Sequence, residues 1–162
     1  MRSHPDIDVN WTPLHLASSY GHSEVVKLLL AHPNIIVNLK NKDTRAPLSY
    51  GCEKGHVSVV EVLKDPRVDV TTDDSYGSTP LWYASYDGKR EVIEWLIASG
   101  RELGNFKNQK GNWDGKNYTA LEIARKRNKT EAAPLLKKFI DNPTRLEVCV
   151  KLGGPCLDRF PV

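Results

Sequence analysis

The chain is predicted to be an all-α solenoid of stacked helix-turn-helix units, and three observations predict it. One pattern recurs four times along its 162 residues. Each copy carries helix start and stop signals at matching places. The apolar residues between those signals fall at helical spacing. The punctuating residues Gly21, Gly55, Gly88 and Asn128 lie 34, 33 and 40 residues apart, a period at which self-similar chains stack their copies into an array.

The first copy opens with Thr12-Pro13-Leu14-His15-Leu16-Ala17 and predicts a helix over 13–20. Thr12 is its N-cap, and Pro13 suits the first helical position, where no N–H partner is lost. Gly21 ends it in the left-handed conformation that glycine tolerates best. Val25-Val26-Lys27-Leu28-Leu29 then predicts a helix over 24–31. In the second copy Pro47-Leu48 opens a helix over 47–54, Gly55 ends it, and Val59-Val60 with Val62-Leu63 mark a helix over 57–64. In the third, Thr79-Pro80-Leu81 and Ala84 predict 80–87, Gly88 ends it, and Val92-Ile93 with Trp95-Leu96 carry 90–98, closed by Gly100. The fourth copy is looser. Thr119-Ala120-Leu121 and Ala124 predict 120–127, Asn128 takes the glycine's place, and Leu135-Leu136 fall in a helix over 130–140. Pro134 is expected to shift the start of that helix or kink it. Ala17, Gly51, Ala84 and Ala124 are equivalent small residues that let helices approach closely. No helix pair can bury its apolar stripe alone, so the pairs must stack.

The head T-P-L-H-x-A at Thr12–Ala17, with its period of about 33, resembles the ankyrin repeat. The resemblance covers roughly residues 4–140. It implies a repeat domain over 1–140, with a partial repeat at 1–11; residues 141–162 fall outside the resemblance and are read as a C-terminal tail, either a cap on the last repeat or disordered. It implies that 37–46, 70–79 and 100–118 form β-turn fingers projecting from the stack. In such proteins the Thr and His of the motif bond to each other and to backbone, which assigns His15 a structural role. His22 and His56, beside the capping glycines, would bridge adjacent repeats. Asn10 and Asn38 correspond to finger asparagines that the family can hydroxylate. Val9 and Pro13 are four residues apart, whereas Val37–Pro47 and Val70–Pro80 span ten. The first finger is thus six residues short, and its turn is expected to be lost. The segment 101–118 carries about seven extra residues, rich in Gly, Asn and Lys, and is expected to be a long mobile loop. His4-Pro5-Asp6-Ile7-Asp8-Val9 mirrors His32-Pro33-Asn34-Ile35-Ile36-Val37, like the end of a preceding repeat, so a fragment of a longer array is expected.

Bulk composition excludes several classes. The chain is 40% hydrophobic and 27% charged, with a net charge of +3, too small to demand an anionic partner. Its charge is uneven: residues 1–100 hold 10 Lys+Arg against 13 Asp+Glu, and residues 101–162 hold 13 against 7. No run of about 18 apolar residues could span a membrane, and the start MRSHPDIDVN lacks an apolar signal region, so an intracellular location is expected. Cys52, Cys149 and Cys156 form an odd set without C-x-x-C spacing, expected to be reduced thiols. His15, His22 and His56 lie too far apart in the repeat scheme to share one metal ion. The pairs Asp73-Asp74 and Asp6/Asp8 sit in turns, where Asp bonds its own backbone. No phosphate-binding loop, nucleophile elbow or dinucleotide fingerprint occurs. The N-x-T sites at Asn10, Asn117 and Asn128 lack the secretory context for glycosylation. A monomeric, non-catalytic chain with no cofactor is expected.

Partner binding in this family uses the concave face made by finger tips and the exposed ends of the first helices. Matched onto this sequence, that face comprises Trp11, Ser19 and Tyr20 in the first copy, and Lys42, Asp43, Arg45, Glu53 and Lys54 in the second. The third contributes Ser75, Tyr76, Ser78, Tyr86 and Asp87, and the fourth Lys116, Tyr118, Lys126 and Arg127. Four of the six tyrosines fall there, and Tyr, Trp and Arg dominate binding hot spots. Tyr50 and Tyr83, at the Leu16 position, are read as packing. Basic residues outnumber acidic ones around the strip, so the expected partner is a protein segment that is acidic with apolar anchors. The competing reading is electrostatic: Arg125-Lys126-Arg127-Asn128-Lys129 and Lys137-Lys138 could hold nucleic acid or an anionic membrane surface, although the aromatic interleaving that single-strand binding needs is thin there. In the tail, Leu146, Val148, Val150 and Leu152 alternate with polar residues, a weak strand-like pattern around Cys149.

Overall fold

The computed structural model describes residues 10–142. Eight helices follow in pairs: α1 (Pro13–Tyr20) with α2 (Ser23–Leu30), α3 (Pro47–Lys54) with α4 (Val57–Val62), α5 (Pro80–Asp87) with α6 (Arg90–Ala98), and α7 (Ala120–Lys126) with α8 (Ala132–Asp141). The first helices pack in the order α1, α3, α5, α7, and the second helices in the order α2, α4, α6, α8. Two rows of helices therefore share one core, the arrangement of an all-α repeat solenoid.

The helix ends follow from local chemistry. The side chains of Thr12, Thr79 and Thr119 accept from the backbone N–H of His15, Trp82 and Glu122, and His15 and Glu122 return the bond to the capping residue. That reciprocal box satisfies two helix-end donors at once. At the other end, Gly21, Gly55, Gly88 and Asn128 take φ values of 79°, 79°, 71° and 54°. The next residue's N–H then reaches back to the carbonyl of Ala17, Gly51, Ala84 or Ala124 at 2.8–3.0 Å. Asn128 thus performs the glycine's role, as expected. The helix α8 starts at Ala132 rather than 130, which puts Pro134 in the first turn, where a missing N–H costs no helical bond.

The core runs unbroken along the stack. Leu14, Val26, Val59, Val60, Ile93, Leu96, Ile123 and Leu136 are completely buried, each contributing about 1.5–3 kcal/mol over an exposed position. A Cβ on Gly51 would lie 3.2 Å from Val59 Cγ1, so α3 and α4 meet closely there. Polar bridges tie one repeat to the next. His56 Nε2 lies 3.0 Å from the Ser19 carbonyl. The Asn38 amide donates to the Arg67 carbonyl at 2.7 Å and accepts from the Asp69 N–H at 2.8 Å.

The fingers differ from expectation in one place. The segment expected to be a long mobile loop holds an antiparallel hairpin, β1 (Lys110–Trp113) with β2 (Lys116–Thr119), in which Gly111 faces Tyr118. Its two-residue turn, Asp114-Gly115, has φ of 52° and 72°, the doubly left-handed turn whose twist matches that of paired strands. Among the described residues, no helix is long and apolar enough to cross a membrane. The expectations about the shortened first finger, the half-repeat at 4–9, and the tail with Cys149 and Cys156 lie largely or wholly outside the described residues.

Candidate functional site

The finger turns are built the same way twice, and each is locked to the helix that follows it. In the first, Asn41 Oδ1 accepts from the Arg45 N–H at 3.1 Å, while its amide donates to the Tyr50 hydroxyl at 2.7 Å. In the second, Asp74 Oδ1 accepts from the N–H groups of Tyr76 and Ser78 at 2.8 Å, and its other oxygen accepts from the Tyr83 hydroxyl. Tyr50 and Tyr83 are therefore more than filler: each clamps a finger onto its helix. Burial, reinforced by the bond to Asp74, pushes the Tyr83 phenol far above its ordinary range, so it remains a donor. Burial raises the Tyr50 phenol as well.

The T-P-L-H network is present in the first repeat. His15 Nδ1 lies 2.8 Å from the Thr12 hydroxyl and accepts from the Thr12 N–H at 3.2 Å, while Nε2 faces the Arg45 carbonyl at 3.0 Å. The carbonyl demands a proton on Nε2 and the N–H demands a lone pair on Nδ1, so the ring is neutral. Burial lowers its pKa below the usual 6.5, against the opposing pull of the Arg45 carbonyl.

On this frame the structure assembles an unbroken row of stacked groups across all four repeats. Trp11 packs on Tyr50 with centroids 4.4 Å apart. The Arg45 guanidinium sits between Tyr50 and Tyr83, 4.0 and 3.7 Å from their centroids, and donates to Glu53 Oε2 at 2.7 Å. Tyr83 meets Trp82 edge-on at 5.5 Å, and Trp82 stacks on Tyr86 at 5.4 Å. Arg127 lies over Tyr86 at 4.0 Å and Trp113 at 5.7 Å, and Trp113 is 6.3 Å from Tyr118. Each contact of this kind is worth about 0.5–1.5 kcal/mol beyond burial.

The structure brings some residues of the expected face together and places others apart from the row. Trp11, Arg45, Glu53, Tyr86, Tyr118 and Arg127 belong to the row. Tyr20 and Tyr76 are 68% and 67% exposed, and Tyr20 rests on His22. Lys42, Asp43, Lys54, Ser75, Lys116 and Lys126 are exposed around it, while Ser19 and Asp87 are half-buried. Tyr86 and Tyr118 are half-buried rather than exposed, because Arg127 and Trp113 cover them. Ser78 is a correction: it is only 2% exposed, because β1 crosses it, and a Cβ on Gly111 would sit 2.4 Å from its hydroxyl. Arg45 is likewise no loose surface cation, since Glu53 and two rings hold it.

Sequence reasoning missed Trp82 and Trp113 as members of this face. The readable signal for Trp113 was the Asp114-Gly115 pair beside it, which marks a hairpin. An open polar groove of about 550 Å³ lies apart from the row, lined by residues such as Asn38, Lys40, Asp69, Asp73 and Gln109; none of the predicted binding residues lines it.

The chain matches the sequence family described as ankyrin repeats (three copies) over residues 2–74, and the single ankyrin repeat over 76–109. It is similar to ankyrin repeat domain-containing protein 63 of Mus musculus, 36% identical over 105 residues, 65% of this chain and 26% of that protein. It is also similar to a probable E3 ubiquitin-protein ligase, XBOS33, of Oryza sativa subsp. japonica, 36% identical over 88 residues, 54% of this chain and 17% of that one. A third relative is the human transient receptor potential cation channel subfamily A member 1, 26% identical over 142 residues, 83% of this chain and 12% of the channel. The chain spans about a quarter or less of the length of each of these relatives.

Proposed function

The chain belongs to the ankyrin repeat family, whose members are generally non-catalytic protein–protein interaction modules, and from that premise we propose that it serves as an adaptor, targeting subunit or inhibitor. Its grip on a partner protein is the face made by the fingers and the first helices. The observation that carries this reading is the continuous row from Trp11 to Tyr118, flanked by the exposed rings of Tyr20 and Tyr76. Rings held rigid by their neighbours supply contact area with little entropy left to lose on binding. A partner segment that is acidic with apolar anchors matches the basic groups Lys42, Lys54, Lys116 and Lys126 around that row.

The test is affinity capture from the native cell extract at raised salt, read by mass spectrometry, with the wild-type chain beside the double variant Tyr20→Ala/Tyr76→Ala. Partners held by the wild type and lost by the double variant support the reading. Truncation of either ring is expected to cost about 1–2 kcal/mol of binding. Capture that vanishes steeply with salt and is indifferent to the tyrosines would favour the electrostatic alternative, in which counterion release dominates.

A further inference from the structure

Two arginines in the stacked row are built alike and finished differently. Arg45 lies between Tyr50 and Tyr83, and its terminal nitrogen donates to Glu53 Oε2 at 2.7 Å. Arg127 lies over Tyr86 and Trp113, and its Nε donates to the Tyr86 carbonyl at 3.1 Å. The Tyr86 ring at 4.0 Å, the Trp113 ring at 5.7 Å and that carbonyl orient the Arg127 guanidinium, less closely than the two rings at 4.0 and 3.7 Å hold Arg45. Among the described residues, however, no carboxylate forms an ion pair with Arg127. The internal Arg45–Glu53 pair therefore shows what this kind of site accepts, and Arg127 offers the same fork without its acid.

We propose that Arg127 is the seat for a carboxylate of the partner, an Asp or Glu side chain in an acidic peptide segment, with a neighbouring apolar side chain of that segment resting on Trp113 and Tyr118. A stacked guanidinium is weakly hydrated, presents planar donors that match a carboxylate, and has little freedom left to lose. The surrounding charge favours an acid. Arg125 and Lys126 next to it in sequence are exposed, as is Lys116 in the hairpin that carries Trp113, against the exposed Asp114 of that hairpin and the half-buried Asp87 next to Tyr86. Glu122 is committed elsewhere, since its carboxylate accepts from the Thr119 N–H at 2.8 Å and that bond holds its pKa below the ordinary range. The mixture of rings and a fixed cation selects a segment with an acid beside an apolar anchor, and gives less purchase to a uniformly charged chain.

This inference rests on the binding face proposed above, and its test separates the two. Random peptides displayed on phage are selected against the full chain. The best is synthesised, and its affinity is measured by fluorescence anisotropy for wild type, Arg127→Gln, Arg127→Lys and Tyr76→Ala, each checked for an unchanged melting temperature. The expected peptide carries Asp or Glu within two residues of a large apolar residue. Arg127→Gln weakens it about tenfold or more, Arg127→Lys weakens it less, and amidating the peptide's acid costs affinity on the wild type but not on Arg127→Gln. Peptides that bind, are weakened by Tyr76→Ala and ignore both Arg127 variants overturn the Arg127 seat and leave the wider face standing. Peptides indifferent to every variant overturn both. No enriched peptide, or displacement of the peptide by a single-stranded oligonucleotide with a steep salt dependence, also overturns the seat.

Discussion

The indole Nε1 of Trp82 donates to the carbonyl of Tyr118 at 2.7 Å. This one bond joins α5 of the third repeat to the strand that leads into the fourth, across a spacing of 36 residues. Trp82 is 4% exposed, so water does not readily replace the lost partner. Trp82→Phe is expected to keep the stack on Tyr86, lose the donor, and destabilise the chain by about 1–2 kcal/mol. Thermal unfolding reads the loss, and faster amide exchange confined to 110–119 locates it.

Gly111 and Gly115 occupy one hairpin and should respond differently. A Cβ at 111 would lie 2.4 Å from Ser78 Oγ and 2.8 Å from the Trp82 ring, whereas a Cβ at 115 meets nothing within 4 Å. Gly111→Ala must push β1 off the second finger and is expected to cost about 1–3 kcal/mol. Gly115→Ala carries only the strain of a left-handed φ, about 1 kcal/mol, and leaves the contacts of Trp82 intact. Chemical denaturation of the two variants, with tryptophan fluorescence as the probe, distinguishes them.

Asn128 stands where three glycines stand in the other repeats, at φ 54°. Asn128→Gly is expected to stabilise the chain by up to about 1 kcal/mol, and Asn128→Val to destabilise it by more, since a β-branched residue resists that conformation. Melting temperatures in opposite directions from wild type check the pair.

His15 supplies a pH dependence with a definite sign. Its folded pKa lies below the ordinary 6.5 because burial disfavours the cation. Above 6.5 both folded and unfolded states hold a neutral ring, and its contribution is constant. As pH falls below 6.5 the unfolded chain takes up a proton that the folded chain refuses, so stability declines until the folded pKa is reached. The expected melting temperature drops from pH 7 to pH 5, and His15→Gln removes that part of the drop. Nitrogen NMR should find the His15 proton on Nε2 at pH 7.

Most of the solenoid was legible because its signals are local. The starts of α1, α3 and α5 follow from a proline at the first helical position, and their ends from a glycine next to the last residue. The fourth repeat was legible through Asn128 and Thr119 despite its loose match. Its hairpin is masked in the sequence because repeat spacing makes 101–118 look like surplus, although the Asp114-Gly115 pair is a hairpin-turn signal within it. The burial of Ser78 was beyond local reasoning, since its cover, Gly111, comes from the next repeat's finger. The stacking of Arg45 on Tyr83 was hidden for the same reason, whereas its pairing with Glu53 and Tyr50 lies within one repeat and needed the finger's geometry. Composition marked the face as aromatic and basic, but only tertiary packing shows which cations are already held and which ring surfaces remain.

The most direct measurement is hydrogen–deuterium exchange of the chain with and without its captured partner. Protection gathered on the fingers at 41–45 and 74–78, on the hairpin at 110–119, and on the C-terminal ends of α1, α3, α5 and α7 is the predicted result. Protection confined to α2, α4, α6 and α8, with the stacked row unchanged, would contradict the account.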